Sequence, residues 1–268
     1  MSVFDYQTID VKREGWVMHI TLNRPKARNA MSLSMVHELA EIFAAVEDDR
    51  EIRAIVLRGA EGHFCAGGDV KDMAQARSQA ASQDSDPYYE LNKQFGYLIA
   101  QVNKAPQVVI AVLEGSVLGG GFGLACVSDV AIASQTAKFG LPETSLGIPP
   151  AQIAPFVVQR IGLTQARRLA LLGLRFSGEE SVNLGISHYY AQSQQEITET
   201  LETVLGHIKK CAPNANAMTK ALLLKANEIP AEQLIDGAAK DFSSAVQGKE
   251  GIAGTMAFVQ KQDAPWVK

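Results

Sequence analysis

The sequence predicts an α/β fold, a mostly parallel sheet flanked by helices, followed by a helical C-terminal subdomain. Three observations carry this. First, β-branched apolar runs ending in turn residues recur as "VMHITLN", "IRAIVLRG" and "QVVIAVLEG". Second, "SLSMVHELAEIFAAVEDD" lies between the first two of these runs. Its apolar residues Met35, Leu39, Ile42, Phe43 and Val46 follow helical spacing, and Ser32 or Ser34 can cap it. Strand–helix–strand units with continuous apolar strands imply a parallel sheet covered on both faces. Third, beyond about residue 192 no strand pattern returns. "QQEITETLETVLGHIKKCA", "NANAMTKALLLKA", "AEQLIDGAAKDFSSAVQG" and "GIAGTMAFVQKQ" all read as helices. The expected division is a core over 1–204 and a helical subdomain over 205–268.

Other elements follow the same rules. "DVAIAS" reads as a further strand and "AKFGLPE" as another, while "GLTQARRLALLG" and "SGEESVNLG" read as short helices ending at Gly. The polar, aperiodic "QARSQAASQDSDP" (75–87) reads as a surface loop or frayed helix beside the site. With 268 residues, 47% hydrophobic and 20% charged, the chain is long enough for one large domain or a main domain with an appendage.

Composition also excludes function classes. No apolar stretch reaches the ~18 residues of a membrane helix, and the polar "MSVFDYQTIDVKREG" lacks a signal-peptide core. Cys65, Cys126 and Cys211 stand at unrelated spacings without a CxxC, which fits a reduced cytoplasmic protein and no zinc site. Net charge is −4 and no run of Lys or Arg exceeds two, so neither nucleic acid nor membrane is an expected partner.

"LGGGFGLACVSD" (Leu118 to Asp129) has four glycines in its first six residues. Ordered Gly is entropically costly, so this density needs a reason. A dinucleotide turn fails on spacing, because G-x-G-x-x-G frames here end in Leu124 and Cys126. A second glycine turn, "HFCAGGDVKDM", stands 52 residues earlier (Gly68 to Gly120). From the residues alone two readings stay open. They are two unrelated tight turns, or two backbone N–H groups aimed into one crevice as an oxyanion hole.

"FCAGGDVKDM", "VLGGGFGLACVSDVAIAS" and "AKFGLPETSLGIPP" resemble the signature segments of the crotonase (enoyl-CoA hydratase/isomerase) superfamily. "ITLNRPKARNAMS" and "EGIAGTMAFVQK" are similar to its flanking motifs. The resemblance spans essentially the whole chain. It implies a spiral of ββα units with C-terminal helices that mediate trimer formation, as a homotrimer or dimer of trimers, acting on acyl-CoA. No cofactor is implied beyond the CoA that belongs to the substrate. It further implies an oxyanion hole from the N–H groups of Gly68 and Gly120, the latter at a helix start where the dipole helps. CoA binding falls by resemblance on Lys26, Ala27, Arg28, Ala30, Ala66 and Lys261.

Family hydratases use two glutamates. Glu143 in "GLPET" matches one, while Gly123 stands where the other is expected. Glu143 is therefore the expected single acid/base, free to hydrate an enoyl thioester or to shuttle a proton in isomerisation. Gly123 is expected to open volume and remove charge beside Cβ, as a substrate-pocket residue for β-branched, carboxylated thioesters. The segment around it is similar to that of hydratases acting on 3-substituted glutaconyl thioesters, isohexenylglutaconyl-CoA of acyclic-terpene breakdown first and 3-methylglutaconyl-CoA second. A catalytically silent CoA-thioester binder or assembly subunit is the alternative of another class. His63 is expected as a turn histidine, Cys65, Cys126 and Phe122 as packing residues, and Arg167–Arg168 as a solvated face.

Overall fold

The computed structural model describes residues 6–69 and 86–267. In chain order the strands are β1 (Ile9–Glu14), β2 (Val17–Leu22), β3 (Ala54–Gly59), β4 (Val108–Leu113), β5 (Ser116–Leu118), β6 (Val130–Ser134), β7 (Lys138–Gly140), β8 (Arg175–Ser177) and β9 (Tyr189–Ala191). The helices are α1 (Leu33–Ala45), α2 (Pro87–Lys104), α3 (Gly120–Val127), α4 (Ala154–Leu172), α5 (Gly178–Asn183), α6 (Gln194–Lys209), α7 (Pro213–Ala226), α8 (Ala231–Gln247) and α9 (Lys249–Gln260).

Among the described residues, six strands form one sheet in the order β1-β2-β3-β4-β6-β9. Only the β1–β2 pair is antiparallel; from β2 onward the pairs are parallel. A smaller sheet runs β5-β7-β8. The chain therefore visits a strand of the large sheet, a strand of the small one and then a helix, as in β4–β5–α3 and β6–β7–α4. Parallel bridges between Cys65 and Val117, and between Met31 and Gly68, continue the small sheet back through the earlier turns. This is the expected spiral of ββα units.

The central strands read as continuous apolar runs because both of their faces are covered. Ile55, Leu57, Val109 and Ala111 join Leu39, Phe43, Ile99 and Phe122 in the larger core. Their neighbours Ala54, Val56, Ile110 and Val112 face the other way, against Ile197, Val204 and Ile208 of α6. Each large side chain so buried contributes ~1.5–3 kcal/mol.

Two helices differ from the sequence reading. Helix α2 was not foreseen, although Asp86 caps it by accepting from the Tyr88 and Tyr89 N–H groups and Pro87 occupies its first turn. The helix expected from Gly162 continues one that begins at Ala154, with a break where Gly162 adopts φ +73°. The division expected at 204/205 falls inside α6; side-chain burial thins out after it, since α7 and α8 have no buried residue and α9 only Ala257. Of the polar segment 75–87, residues 75–85 lie outside the described residues.

Arg53, Gln107 and Asp129 stand just before β3, β4 and β6, at the N-terminal ends of these parallel strands. The C-terminal helices attach there. Lys220 on α7 donates to Asp129 Oδ2 (2.6 Å) and the Gln107 carbonyl (3.1 Å). Arg53 donates to the carbonyls of Ile208, Lys209, Cys211 and Trp266. The two glycine turns lie toward the opposite, C-terminal ends of β3 and β4, the second of them directly after β5.

Candidate active site

The two turns meet through backbone hydrogen bonds. Cys65 N–H donates to the Ser116 carbonyl (2.8 Å), and Leu118 N–H returns a bond to the Cys65 carbonyl (3.0 Å). Gly67 at φ +98° and Gly119 at φ +50° hold conformations that side chains rarely tolerate. A Cβ on Gly119 would lie 3.5 Å from Gly67 Cα and 2.7 Å from Glu143 Oε1. The absence of that one atom lets both turns and the carboxylate share a crevice.

Gly68 and Gly120 are the next residues on each turn. Among the described residues no acceptor takes either backbone N–H: the bonds around Gly68 use the Gly67 carbonyl and the Asp69 N–H, and Gly120 opens α3. The first N–H groups of a helix have no internal partner and sit at its positive end. Phe95 of α2 covers Gly120, its ring edge 3.1 Å from where a Cβ would stand.

Glu143 opens the short 3-10 turn Glu143–Leu146 behind Pro142. Its Oε2 is buried and has no hydrogen-bond partner among the described residues. Burial raises its pKa above the ordinary 4.5, opposed only by its own backbone N–H. A partly desolvated carboxyl beside two unclaimed N–H groups can pass a proton to and from a bound thioester whose carbonyl those groups polarise.

Gly123 corrects one expectation. A Cβ there would collide with Ile153 and come within 2.7 Å of Ile99 Cδ1. The volume left by the missing side chain is filled by two isoleucines rather than opened to a ligand. Closing it was not legible, because Ile153 lies 30 residues further along the chain.

The residues expected for CoA divide into two groups. Lys26, Ala27, Arg28 and Ala30 form one loop: the turn Pro25–Ala27, then Arg28 and Asn29 at φ +49° and +57°. Ala66 joins them, donating its N–H to the Arg28 carbonyl at 3.0 Å. Lys26 and Arg28 are exposed beside this seam. Lys261 is elsewhere. It ends α9 in a segment fastened through Trp266 to Arg53, at the other ends of the strands, and among the described residues no hydrogen bond or ion pair joins it to the 24–30 loop. Within one chain the structure does not bring Lys261 to this group.

The remaining candidates behave as packing. His63 Nδ1 accepts from the Ser116 N–H at 3.1 Å, fixing a turn. Burial pushes the Cys65 thiol up to about 11 and Cys126 to about 12, so neither is a nucleophile. Phe122 packs edge-on against Phe139 and Phe176. Arg167 and Arg168 are exposed, Arg168 facing Glu180 at 3.5 Å. Among the described residues no three His, Cys, Asp or Glu side chains are grouped to hold a metal ion, and no helix is long and apolar enough to cross a membrane. Three residues went unnoticed in the sequence: Arg24, Asn29 and Asp69, which brace the seam between the two loops.

Comparison with known proteins fits this geometry. Residues 12–268 match the enoyl-CoA hydratase/isomerase family. Carnitinyl-CoA dehydratase of Shigella flexneri is 30% identical over 267 residues, covering 97% of this chain and 98% of its own. Among solved structures, Pseudomonas aeruginosa AtuE is 56% identical with a TM-score of 0.95, covering 98% of this chain and 100% of its own. An enoyl-CoA hydratase/isomerase from Marinobacter aquaeolei is also 56% identical, with a TM-score of 0.93 and coverages of 97% and 99%. The chain belongs to the enoyl-CoA hydratase/isomerase family.

Proposed function

We propose that the protein hydrates the α,β double bond of a 3-substituted glutaconyl-type CoA thioester, isohexenylglutaconyl-CoA in the first place. The observation that carries this reading is Glu143 Oε2, buried without a partner beside the Gly67 and Gly119 turns. The thioester oxygen accepts from the N–H groups of Gly68 and Gly120, each worth ~3 kcal/mol as developing enolate charge is stabilised. This withdraws electrons from Cβ. Glu143 takes a proton from water as its oxygen bonds Cβ, and the same carboxyl returns a proton to Cα. No electron transfer or metal-bound oxygen is called for, and CoA enters as part of the substrate.

One feature supports the branched, carboxylated acyl group. The segment "LGGGFGLACVSDVAIAS" is similar to that of hydratases for such thioesters. 3-Methylglutaconyl-CoA is the second substrate reading, and proton shuttling between Cα and Cγ by the lone Glu143 the second reaction. A silent CoA-thioester binder is disfavoured by the buried Glu143, since binding alone gains nothing from a desolvated carboxyl. We place the enzyme in the cytoplasm as a homotrimer or dimer of trimers; Phe242, Ile252, Phe258 and Val259 on the C-terminal helices are apolar and exposed, as surfaces awaiting another subunit would be.

The test is incubation with isohexenylglutaconyl-, 3-methylglutaconyl- and crotonyl-CoA, followed by mass spectrometry. Gain of one water on a branched glutaconyl thioester, lost in Glu143→Gln, is the expected result. A rearranged product of unchanged mass would replace hydration by isomerisation, and no product with any thioester would return the silent binder.

A further inference from the structure

Arg24 and Asp69 form an ion pair across the seam between the 24–31 loop and the turn carrying Gly68. Both are largely withdrawn from solvent; the Asp69 side chain is 7% exposed. Arg24 also donates to the Ala30 carbonyl through Nη1, and its backbone N–H donates to Asn29 Oδ1 at 2.8 Å. Asn29 in turn donates to the carbonyls of Ala60 (3.0 Å) and His63 (2.6 Å). One guanidinium and one buried amide thus lock the loop to both flanks of the turn.

The backbone bonds of this seam decide where the Gly68 N–H points. Met31 N–H donates to the Gly67 carbonyl (2.8 Å), and Asp69 N–H donates to the Met31 carbonyl (3.0 Å). Gly67 C=O and Gly68 N–H belong to one planar trans peptide, in which carbonyl and N–H point in opposite directions. While Met31 holds the carbonyl, the N–H must face away from the 24–31 loop. Any drift of that loop rotates the peptide and swings the donor with it. A glycine pair resists such rotation poorly, so an external brace matters.

We infer that Arg24 and Asp69 are a positioning pair that couples occupation of the CoA-side loop to the orientation of the Gly68 N–H. The inference rests on the proposed reading of Gly68 as a carbonyl donor and of residues 26–30 and 66 as the CoA cradle. Ordering the loop around the nucleotide end of CoA fixes Met31, and through it the Gly67–Gly68 peptide. Binding energy from a part of the substrate far from the reacting bond then appears as better polarisation of the thioester.

The experiment compares a cinnamoyl thioester of CoA with the same acyl group on pantetheine, which lacks the nucleotide. The absorption of such a conjugated thioester moves to longer wavelength as its carbonyl is polarised, and the shift is read per bound ligand at saturation. The wild type is expected to show a larger red shift with the CoA thioester than with the pantetheine one. Arg24→Lys, which keeps the charge but not the fork, and Asp69→Asn are each expected to lose roughly half or more of the CoA-specific excess. The pantetheine shift should fall by a smaller fraction. A merely structural role would reduce the bound fraction and leave the shift per bound ligand intact; that result overturns the coupling while the hydratase reading stands. Equal shifts for the two thioesters in the wild type overturn it without any variant. A wild type that shifts neither thioester overturns the reading of Gly68, and the coupling with it.

Discussion

The two ends of the main sheet are built on opposite principles. At the C-terminal ends of β3 and β4, backbone and glycine do the work: Gly67, Gly119 and Glu143 fit together because a Cβ is absent. At the N-terminal ends, long cationic side chains do it: Arg53 collects four carbonyls and Lys220 binds Asp129 and a carbonyl. The first end keeps donors unclaimed and a carboxylate unpaired. The second end spends its cations on carbonyls and a carboxylate, leaves Arg53 Nε and Gln107 Oε1 buried without partners among the described residues, and carries α7 to α9, which bury almost nothing. What separates the ends is the kind of group left over: a titratable carboxyl beside open backbone donors at the first, a guanidinium nitrogen and an amide oxygen at the second.

The largest expected effect falls on the first end. Glu143→Gln should lower turnover by ~10²–10⁴-fold, because the amide keeps the size but cannot accept a proton. Binding of the thioester should change little. Stopped-flow hydration with the preferred thioester checks this, and a kcat near wild type would remove Glu143 from the chemistry. Lys220→Met tests the second end. It leaves the Asp129 carboxylate, 29% exposed, without its cation, and a partly screened pair of this kind is worth ~1–3 kcal/mol. The melting temperature should fall while the red shift of a bound thioester stays the same. A variant that melts normally but polarises its ligand poorly would merge the two ends that the structure separates.

A smaller effect has the opposite sign at the first end. Burial raises the Glu143 pKa above 4.5, so the folded state holds a proton that the unfolded state has already released. Ionised Glu143 therefore costs stability, and the cost grows as pH rises from 4.5 through the raised pKa. Glu143→Gln should melt higher than the wild type near neutral pH, with the advantage vanishing toward pH 4.5. The acidic limb of kcat/KM should likewise lie above the ordinary carboxylate range. Melting curves that shift equally at every pH would show that Glu143 is not destabilised by its burial.

Legibility in the sequence followed the range of the interactions. β2, β3, β4, β6 and α1 were readable because their burial is written in local periodicity. β1 was not, since "IDVKRE" alternates with charge at the edge of the sheet. Gly68, Gly120 and Glu143 were readable as motif residues, and the structure brings their turns together. The Arg24–Asp69 brace spans 45 residues and the Gly123–Ile153 contact 30, distances over which no local pattern survives. Lys261 shows the same limit: a motif gives identity, but not which end of the sheet a distant segment reaches.

The smallest and most discriminating prediction concerns Gly123. If its lack of a side chain serves packing, Gly123→Ala must push against Ile153 and Ile99, and overpacking of this kind costs ~1–3 kcal/mol. Ile153→Ala alone should also destabilise, through the cavity it leaves. Combined, the two changes relieve one another, because the new methyl enters space vacated by the isoleucine. The double variant should therefore lose less stability than the sum of the single ones, by ~0.5–3 kcal/mol of favourable coupling. Denaturant titration of the four proteins measures it. The pocket reading makes a different demand: Gly123→Ala would leave stability unchanged and lower kcat/KM for a 3-branched glutaconyl thioester relative to crotonyl-CoA. Additive stabilities with a shifted substrate ratio would restore Gly123 to the acyl pocket. Coupled stabilities with an unchanged ratio would leave it as the joint where α3 closes on α2 and α4, and substrate choice would then be sought along Phe95 and the turn that carries Glu143.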